Sequence, residues 1–306
     1  MNLTRRVVLG VADVPLVHRL FERNRFARAL VDRFVAGETL DMALDATRAL
    51  AAEGIVATLD QLGENVATAD EARRAVSTYV DTLHRIHAAG LEPNISVKLT
   101  MLGLDLSDDV ACENMIPILD AARHVGGFVR IDMEGSAYTA RTMDIFARLH
   151  DQFPDEVGVV IQTYLRRAAV DVEAMIARNA RVRLVKGAYA EPETVAFQSK
   201  KEIDDNFRRL AEQLLEHGRF PAIATHDPAL IEATIAFARR RAIAPERFEF
   251  QMLYGVRRAE QRRLKQDGFG MRVYVPYGTE WYPYFTRRIA ERPANALFVL
   301  RQLRER

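Results

Sequence analysis

The run GFVRIDMEGSAYTARTMDIFARLHDQFPDEVGVVIQTYLRRAAVDVEAMIARNARVRLVKG, residues 127–187, decides the fold. Within it, GFVRIDM (127–133), VGVVIQTY (157–164) and VRLVKG (182–187) are short, apolar and β-branched, and amphipathic stretches of helical period separate them. Working outward, the same rhythm continues. IVATLDQLG (55–63) and ISVKLT (95–100) precede these runs, and FPAIATH (220–226), FEFQML (248–253) and MRVYVPYG (271–278) follow them. Stretches such as EARRAVSTYVDTLHRIHAAG (71–90) and NFRRLAEQLLEHG (206–218) supply the intervening helices. Eight strand–helix units over roughly 250 residues predict an α/β protein with a (β/α)8 barrel of the TIM type, whose strands, buried on both faces, read as continuous apolar runs. An open doubly wound sheet is the main competitor, but its G-x-G-x-x-G turn is missing after the first strand, where the chain reads LGENVATAD.

Around that barrel, residues 12–53 read as helical throughout, with Thr39 opening an apolar 3.6-residue pattern and Gly54 stopping it. No linker divides the chain. Residues 1–306 are therefore expected to form a single domain: an N-terminal helical elaboration (1–53), the barrel (55–278), and a C-terminal helix (279–306) over the barrel mouth.

Lys+Arg 43 against Asp+Glu 42 leaves no field for nucleic acid or an acidic polymer, so a small-molecule ligand is expected. The single cysteine, Cys112, has no intrachain disulfide partner and fits a reducing, cytoplasmic setting. The N-terminal apolar patch VVLGVADVPLVHRLF (7–21) lacks a cleavage site and is expected to serve core packing. No run is long enough to span a bilayer, which leaves peripheral contact as the one membrane role open.

Active sites of such barrels lie at the carboxyl ends of the strands. A polar or ionisable residue stands there on nearly every strand: Asp60 and Glu64, Lys98, Asp132 and Glu134, Gln162, Arg183 and Lys186, Thr225 and His226, Gln251, and Tyr274 with Tyr277. Buried unpaired charges cost several kcal/mol, so these groups must pair with one another or with a ligand. In WYPYFTRRIAERPAN, Tyr284, Arg287, Arg288 and Glu291 fall near i, i+3, i+4 and i+7 on one helix face, and the two guanidinium groups suit a carboxylate. The alternative for each set is a structural salt-bridge layer or a solvated basic face. On residue types alone, two other chemistries also stay open. A mid-strand lysine, Lys98 or Lys186, could form a Schiff base; Asp60, Asp132, Glu134 and His226 could hold a metal, although their spacing matches no diagnostic motif.

The ordered motifs SVKLT, RIDMEG, VIQTY, RLVKGAY, ATHD, EFQMLYG, YVPYG and TRRIAERPAN, spread over essentially the whole chain, resemble the proline dehydrogenase family. The likeness is to its short, monofunctional bacterial form, without the DNA-binding and aldehyde dehydrogenase domains of the bifunctional proline utilisation proteins. The resemblance implies non-covalently bound FAD and oxidation of L-proline to Δ1-pyrroline-5-carboxylate. Hydride would pass to flavin N5, with electrons going on to a membrane quinone.

By the same resemblance, Lys98, Asp132, Tyr274, Leu253, Arg287, Arg288 and Glu291 match the substrate pocket. Gln162, Arg183, Lys186, Gly187, Tyr189, Thr225 and His226 match flavin contacts, and Gln251 is taken with them. Arg183, Lys98 and Asp132 are the expected catalytic set, Arg183 through electrostatics and the other two as a paired network under the substrate. Glu64 is expected to pair with Arg287 and close the site over proline. Peripheral attachment to the inner face of the cell membrane and a homo-oligomer are both compatible with the resemblance. Thr163 and Ala190 stand where family members vary in size, next to the flavin motifs.

Overall fold

Parallel strands need long crossover connections, and in this chain each crossover is a helix. The computed structural model describes residues 31–63 and 65–290, with 287–290 as backbone only. Along the chain the elements are α1 (Leu40–Ala52), β1 (Val56–Gln61), α2 (Ala69–Ala88), β2 (Asn94–Val97), a 3-10 turn (Leu99–Leu102), α3 (Asp108–Val125), β3 (Phe128–Ile131), α4 (Ser136–His150), β4 (Val157–Gln162) and α5 (Ala168–Ala177). They continue with β5 (Arg181–Val185), α6 (Lys200–His217), β6 (Ala222–Ala224), α7 (Pro228–Arg240), a second 3-10 turn (Pro245–Arg247), β7 (Glu249–Leu253), α8 (Arg258–Gln266), β8 (Gly270–Tyr277) and α9 (Trp281–Ala290). All eight apolar runs form strands. They close in sequence order into a parallel barrel, with β8 returning to β1 from Val56 beside Arg272 to Gln61 beside Tyr277.

Local signals place the helices. Thr39 caps α1 by accepting from the Met42 amide, and Gly54 follows the helix in the left-handed region at φ +72°. Thr68 and Glu71 form a reciprocal capping box on α2, and Asp227 caps α7 ahead of Pro228.

Two sequence expectations need correction. Residues 32–39 are not helical: Gly37 takes φ +98°, and the Ala36 amide and the Gly37 carbonyl pair instead with Pro276 O (2.8 Å) and the Gly278 amide (3.0 Å) at the end of β8. Residues 1–30, with the whole N-terminal apolar patch, lie outside the described residues.

The strands are also not apolar on both faces. Outward side chains such as Val129, Ile131, Val182, Leu184, Val273 and Val275 are buried under the helices. Inward positions on the same strands are Arg130 and Asp132, Arg181 and Arg183, and Arg272 and Tyr274. Among them Arg183 on β5 reaches across the barrel to Ser96 on β2 and to Gln251 on β7. A period-2 alternation of apolar and polar residues is thus written into the strands.

A second, smaller apolar cluster seats the C-terminal helix at the mouth. Trp281 and Phe285 of α9 pack with Phe34, Leu62 and Val256. That contact turns Tyr284 toward the barrel axis, where it lines the central cavity.

Candidate active site

At the carboxyl end of the barrel lies a cavity of about 430 Å³, within the range of small-molecule sites. Its wall on the β8, β1, β2 and β3 side is charged. Lys98, just beyond β2, donates to Asp60 Oδ1 at 3.0 Å, with Asp60 and Lys98 only 1% and 7% exposed. The expected Lys98–Asp132 bond is therefore replaced by Lys98–Asp60. The register explains it, since Asp60 pairs with Ser96 and Lys98 lies two residues further along the same inward face. Asp132 is filled from two other directions: Arg183 Nη1 donates to Oδ1 at 2.6 Å and the Tyr274 hydroxyl to Oδ2 at 2.8 Å.

Arg183 is held on all sides. Besides Asp132 it donates through Nε to Gln251 Oε1 at 2.6 Å and through Nη2 to Ser96 Oγ at 3.0 Å, and its guanidinium lies 5.3 Å from the Tyr274 ring centre. A group so constrained is pre-organised, the condition under which a buried charge acts strongly. The charge states follow from the same contacts. Burial opposes the ammonium of Lys98, but Asp60 and Asp132 overcome that and raise its pKa, so it stays charged. Burial, reinforced by Asp132, raises Tyr274, keeping it a neutral donor. For Asp60, burial raises the pKa against the opposing charge of Lys98.

The opposite wall, from β4 to β7, is small and mostly neutral. Val160, Val185 and Ala224 line it, and Gln162 ends β4 with Nε2 donating to Met133 O at 3.2 Å. Gln162 Oε1 is buried and has no hydrogen-bond partner. An orphaned buried acceptor beside a cavity points to a ligand that donates there. Lys186, after β5, lines the cavity ion-paired with Asp204 (2.5 Å) and with Asp227 (3.0 Å), itself a lining residue. Gly187 has φ +114°, and a Cβ on it would meet the Tyr164 ring at 2.2 Å, so only glycine fits between that ring and the cavity. Tyr189, Thr225, His226 and Leu253 complete this wall. His226 Nε2 accepts the Leu253 amide at 2.9 Å and is therefore unprotonated, and Thr225 Oγ1 accepts the Asp227 amide at 3.1 Å.

The structure thus gathers Lys98, Asp132, Tyr274, Arg183, Gln162, Gln251, Lys186, Gly187, Tyr189, Thr225, His226 and Leu253 around one cavity. Tyr277 is not among them: β8 alternation turns it outward, where its hydroxyl sits 3.0 Å from Thr82 Oγ1. Glu64 and Glu291 lie outside the described residues, as do the side chains of Arg287 and Arg288, whose backbones continue α9 at i+3 and i+4 from Tyr284. Sequence reading missed Ser96, Asp204, Asp227 and Glu249. Asp227 stood in plain view in ATHD, whereas Asp204 arrives from α6 with no motif to announce it.

Two rival chemistries lose ground on contacts. A Schiff-base lysine must present a neutral amine, yet Lys98 is held as an ammonium and Lys186 sits between two carboxylates. Of the proposed metal ligands, Asp60 and Asp132 face cations, Glu134 accepts Thr100 Oγ1 at 2.7 Å, and His226 is bound by a backbone amide. Among the described residues no group of three or more His, Cys, Asp or Glu could hold a metal ion.

Residues 43–301 match the Proline dehydrogenase family. The chain belongs to the proline dehydrogenase family, oxidoreductases acting on a CH–NH group. Over 303 residues it is 39% identical to Proline dehydrogenase of Deinococcus radiodurans, covering 98% of this chain and 97% of that one. It is 42% identical over 269 residues to Proline dehydrogenase 1 of Bacillus subtilis subsp. natto, covering 88% and 89%. Among solved structures it is similar to proline utilization A from Bdellovibrio bacteriovorus inactivated by N-propargylglycine, with TM-score 0.79 and 28% identity over 86% of this chain. The match takes in 32% of that longer protein. In this family member, the strand-end residues that resembled a proline dehydrogenase pocket do converge on one cavity.

Proposed function

We propose that the chain oxidises L-proline to Δ1-pyrroline-5-carboxylate, the first step of proline catabolism, with non-covalently held FAD as its acceptor. A membrane quinone then receives the electrons. The observation that carries this reading is the division of one cavity between a buried charged wall and a small neutral wall with an unfilled acceptor.

The neutral wall fits a flat, polar-edged ring. Gln162 Oε1 lacks a donor, and Gly187, packed against the Tyr164 ring, presents no side chain to the cavity. Gln162, Arg183, Lys186, Gly187, Tyr189, Thr225, His226 and Gln251 would hold the flavin. Bound there, FAD supplies the acceptor for the hydrogen and two electrons that leave the proline ring carbon beside nitrogen.

The chain's own residues do the rest. Arg183 favours negative charge arising where electrons arrive, and because Gln251, Asp132 and Ser96 already fix it, no reorganisation is needed during the reaction. Lys98, Asp132 and Tyr274 form the floor and side of the substrate pocket, Tyr274 offering an apolar ring face and Leu253 an apolar wall. Arg287 and Arg288, with Glu291, take the proline carboxylate and amine side, and orientation of this kind lowers the barrier by several kcal/mol. Glu64 pairs with Arg287 to close the site.

A quinone acceptor calls for peripheral contact with a membrane from the cytoplasmic side. No helix among the described residues is long and apolar enough to cross one. Self-association is compatible with this arrangement.

The test is an absorbance spectrum of the purified protein, reconstituted with FAD if colourless, followed by anaerobic L-proline. A visible flavin band that proline bleaches is the expected result; a protein that takes up no FAD overturns the reading.

A further inference from the structure

Beneath the charged wall the barrel axis does not become apolar. One layer down, Gln251 Nε2 donates to Glu249 Oε1 at 2.5 Å, and Arg272 Nε donates to both Glu249 oxygens at 2.9 and 3.2 Å. Arg272 continues the ladder to the Ala57 carbonyl and to Glu92 Oε1, each at 2.8 Å, and Glu92 is half exposed at the far end. Gln251, Glu249 and Arg272 are 3%, 4% and 6% exposed. A buried ion pair of this kind is no more stabilising than two well-packed apolar residues, so stability alone does not account for its position on the axis.

The chemistry of Gln251 supplies a reason. Arg183 Nε can only donate, so the amide must show it oxygen; the Glu249 carboxylate can only accept, so the amide must show it nitrogen. Both ends thus impose the same orientation, and the amide is polarised between a guanidinium and a carboxylate. With glutamine at 249 the lower partner could donate as well as accept. The Gln251 amide would then be free to turn and set its own donors against Arg183 Nε, leaving a buried donor unmet.

We infer that Glu249 is a positioning residue: acting through Gln251, it holds the Arg183 guanidinium in place beneath the reacting centre. The inference rests on the proposed role of Arg183 beside FAD. Glu249 does not line the cavity, so loss of the ladder should slow the electron-transfer step while proline binding changes little.

The experiment loads wild type, E249Q and E249Q/R272Q with FAD and mixes each anaerobically with proline. It reads the limiting bleaching rate per bound flavin, the half-saturating proline concentration, and the flavin midpoint potential. E249Q leaves the buried Arg272 charge with half-exposed Glu92 as its counter-ion and so carries a folding risk. E249Q/R272Q removes both charges, keeps the net charge of the ladder, and still deprives Gln251 of its anionic partner. In both variants the limiting rate is expected to fall about tenfold, less than for removing a direct donor. Half-saturation should stay within about twofold. In the charge-conserving double variant the midpoint potential should also move to a more negative value, because Arg183 is less well placed to favour the reduced form. A merely structural role would lower yield or thermal stability without changing the rate per bound flavin. Wild-type rate and potential in the double variant overturn the inference alone. A wild-type protein that binds no FAD overturns the functional reading and the inference with it.

Discussion

The two walls of the barrel mouth settle their charges in opposite ways. On the β8–β1–β2–β3 side, Asp60, Lys98, Asp132 and Tyr274 stay inside the barrel and neutralise one another there, with Arg183 crossing from β5 to complete the set. On the β4–β7 side, the lysine that follows a strand, Lys186, lies at the cavity but is neutralised by Asp204 and Asp227, beside small residues and one unfilled acceptor. A wall of interlocked charges tolerates little change, because each group removed leaves another buried without a partner. A wall of small neutral groups tolerates chemistry but not bulk. The difference separates residues that shape electrostatics from residues that shape space, and it can be tested one wall at a time.

The largest effect is expected on the charged wall. D132N keeps the shape but leaves one acceptor oxygen where Arg183 and Tyr274 now use two, and it leaves the guanidinium buried without its counter-charge. Breaking such a pair costs about 3–5 kcal/mol. Proline oxidation should fall by about a hundredfold or more, the scale seen when a pre-organised group is lost. Urea unfolding and steady-state kinetics read both. A variant with wild-type stability would show that Asp132 is not the group that neutralises Arg183.

On the neutral wall the expected effect is on occupancy. A224L pushes bulk into open cavity rather than into a packed core, so stability should change by no more than about 1 kcal/mol. Overlap worth about 1–3 kcal/mol against a ligand weakens its binding about tenfold or more, which the visible-to-ultraviolet absorbance ratio of the reconstituted protein reports. If A224L retains full flavin while D132N loses it, the assignment of the two walls is reversed.

The barrel itself was legible because strand and helix periods alternate cleanly, and the eight runs became the eight strands. What the apolar reading concealed was alternation within the runs. FVRID, EFQML and MRVYV each carry two polar residues spaced two apart, and closing the barrel turns Arg130, Glu249 and Arg272 inward below the mouth. Scanning only the strand ends found the upper layer and passed over the lower one. Lys98 and Asp132 were legible as site residues but not as partners, since pairing depends on register between strands: Asp60, on the adjacent strand, reaches Lys98 first. The break at 32–39 had a signal in Gly37 that the apolar pattern on either side outweighed. Asp204 had no signal at all, because α6 delivers it to Lys186 from 18 residues further along the sequence.

The smallest effect concerns how the neutral wall disposes of its lysine. Burial works against ionisation of Asp227, but the hydrogen bond and charge of Lys186, then Lys200 and the Ala229 amide, take its pKa down from 3.8 to about 2. A carboxylate with a lowered folded-state pKa contributes stability that is complete above its unfolded value and is lost as pH falls through the folded one. The contribution of Asp227 should therefore be present at neutral pH, shrink below pH 3.8, and be gone near pH 2. D227N removes the titration while leaving a side chain that can still cap α7. The gap in urea midpoint between wild type and D227N should thus be widest at neutral pH and close as the acid window is entered. Because Lys200 is largely exposed and the cluster opens to solvent, the gap should stay within about 1 kcal/mol and narrow with added salt. A gap unchanged through the acid window would mean that Asp227 acts as a helix cap alone. Lys186 would then owe its neutralisation to Asp204, one carboxylate rather than two.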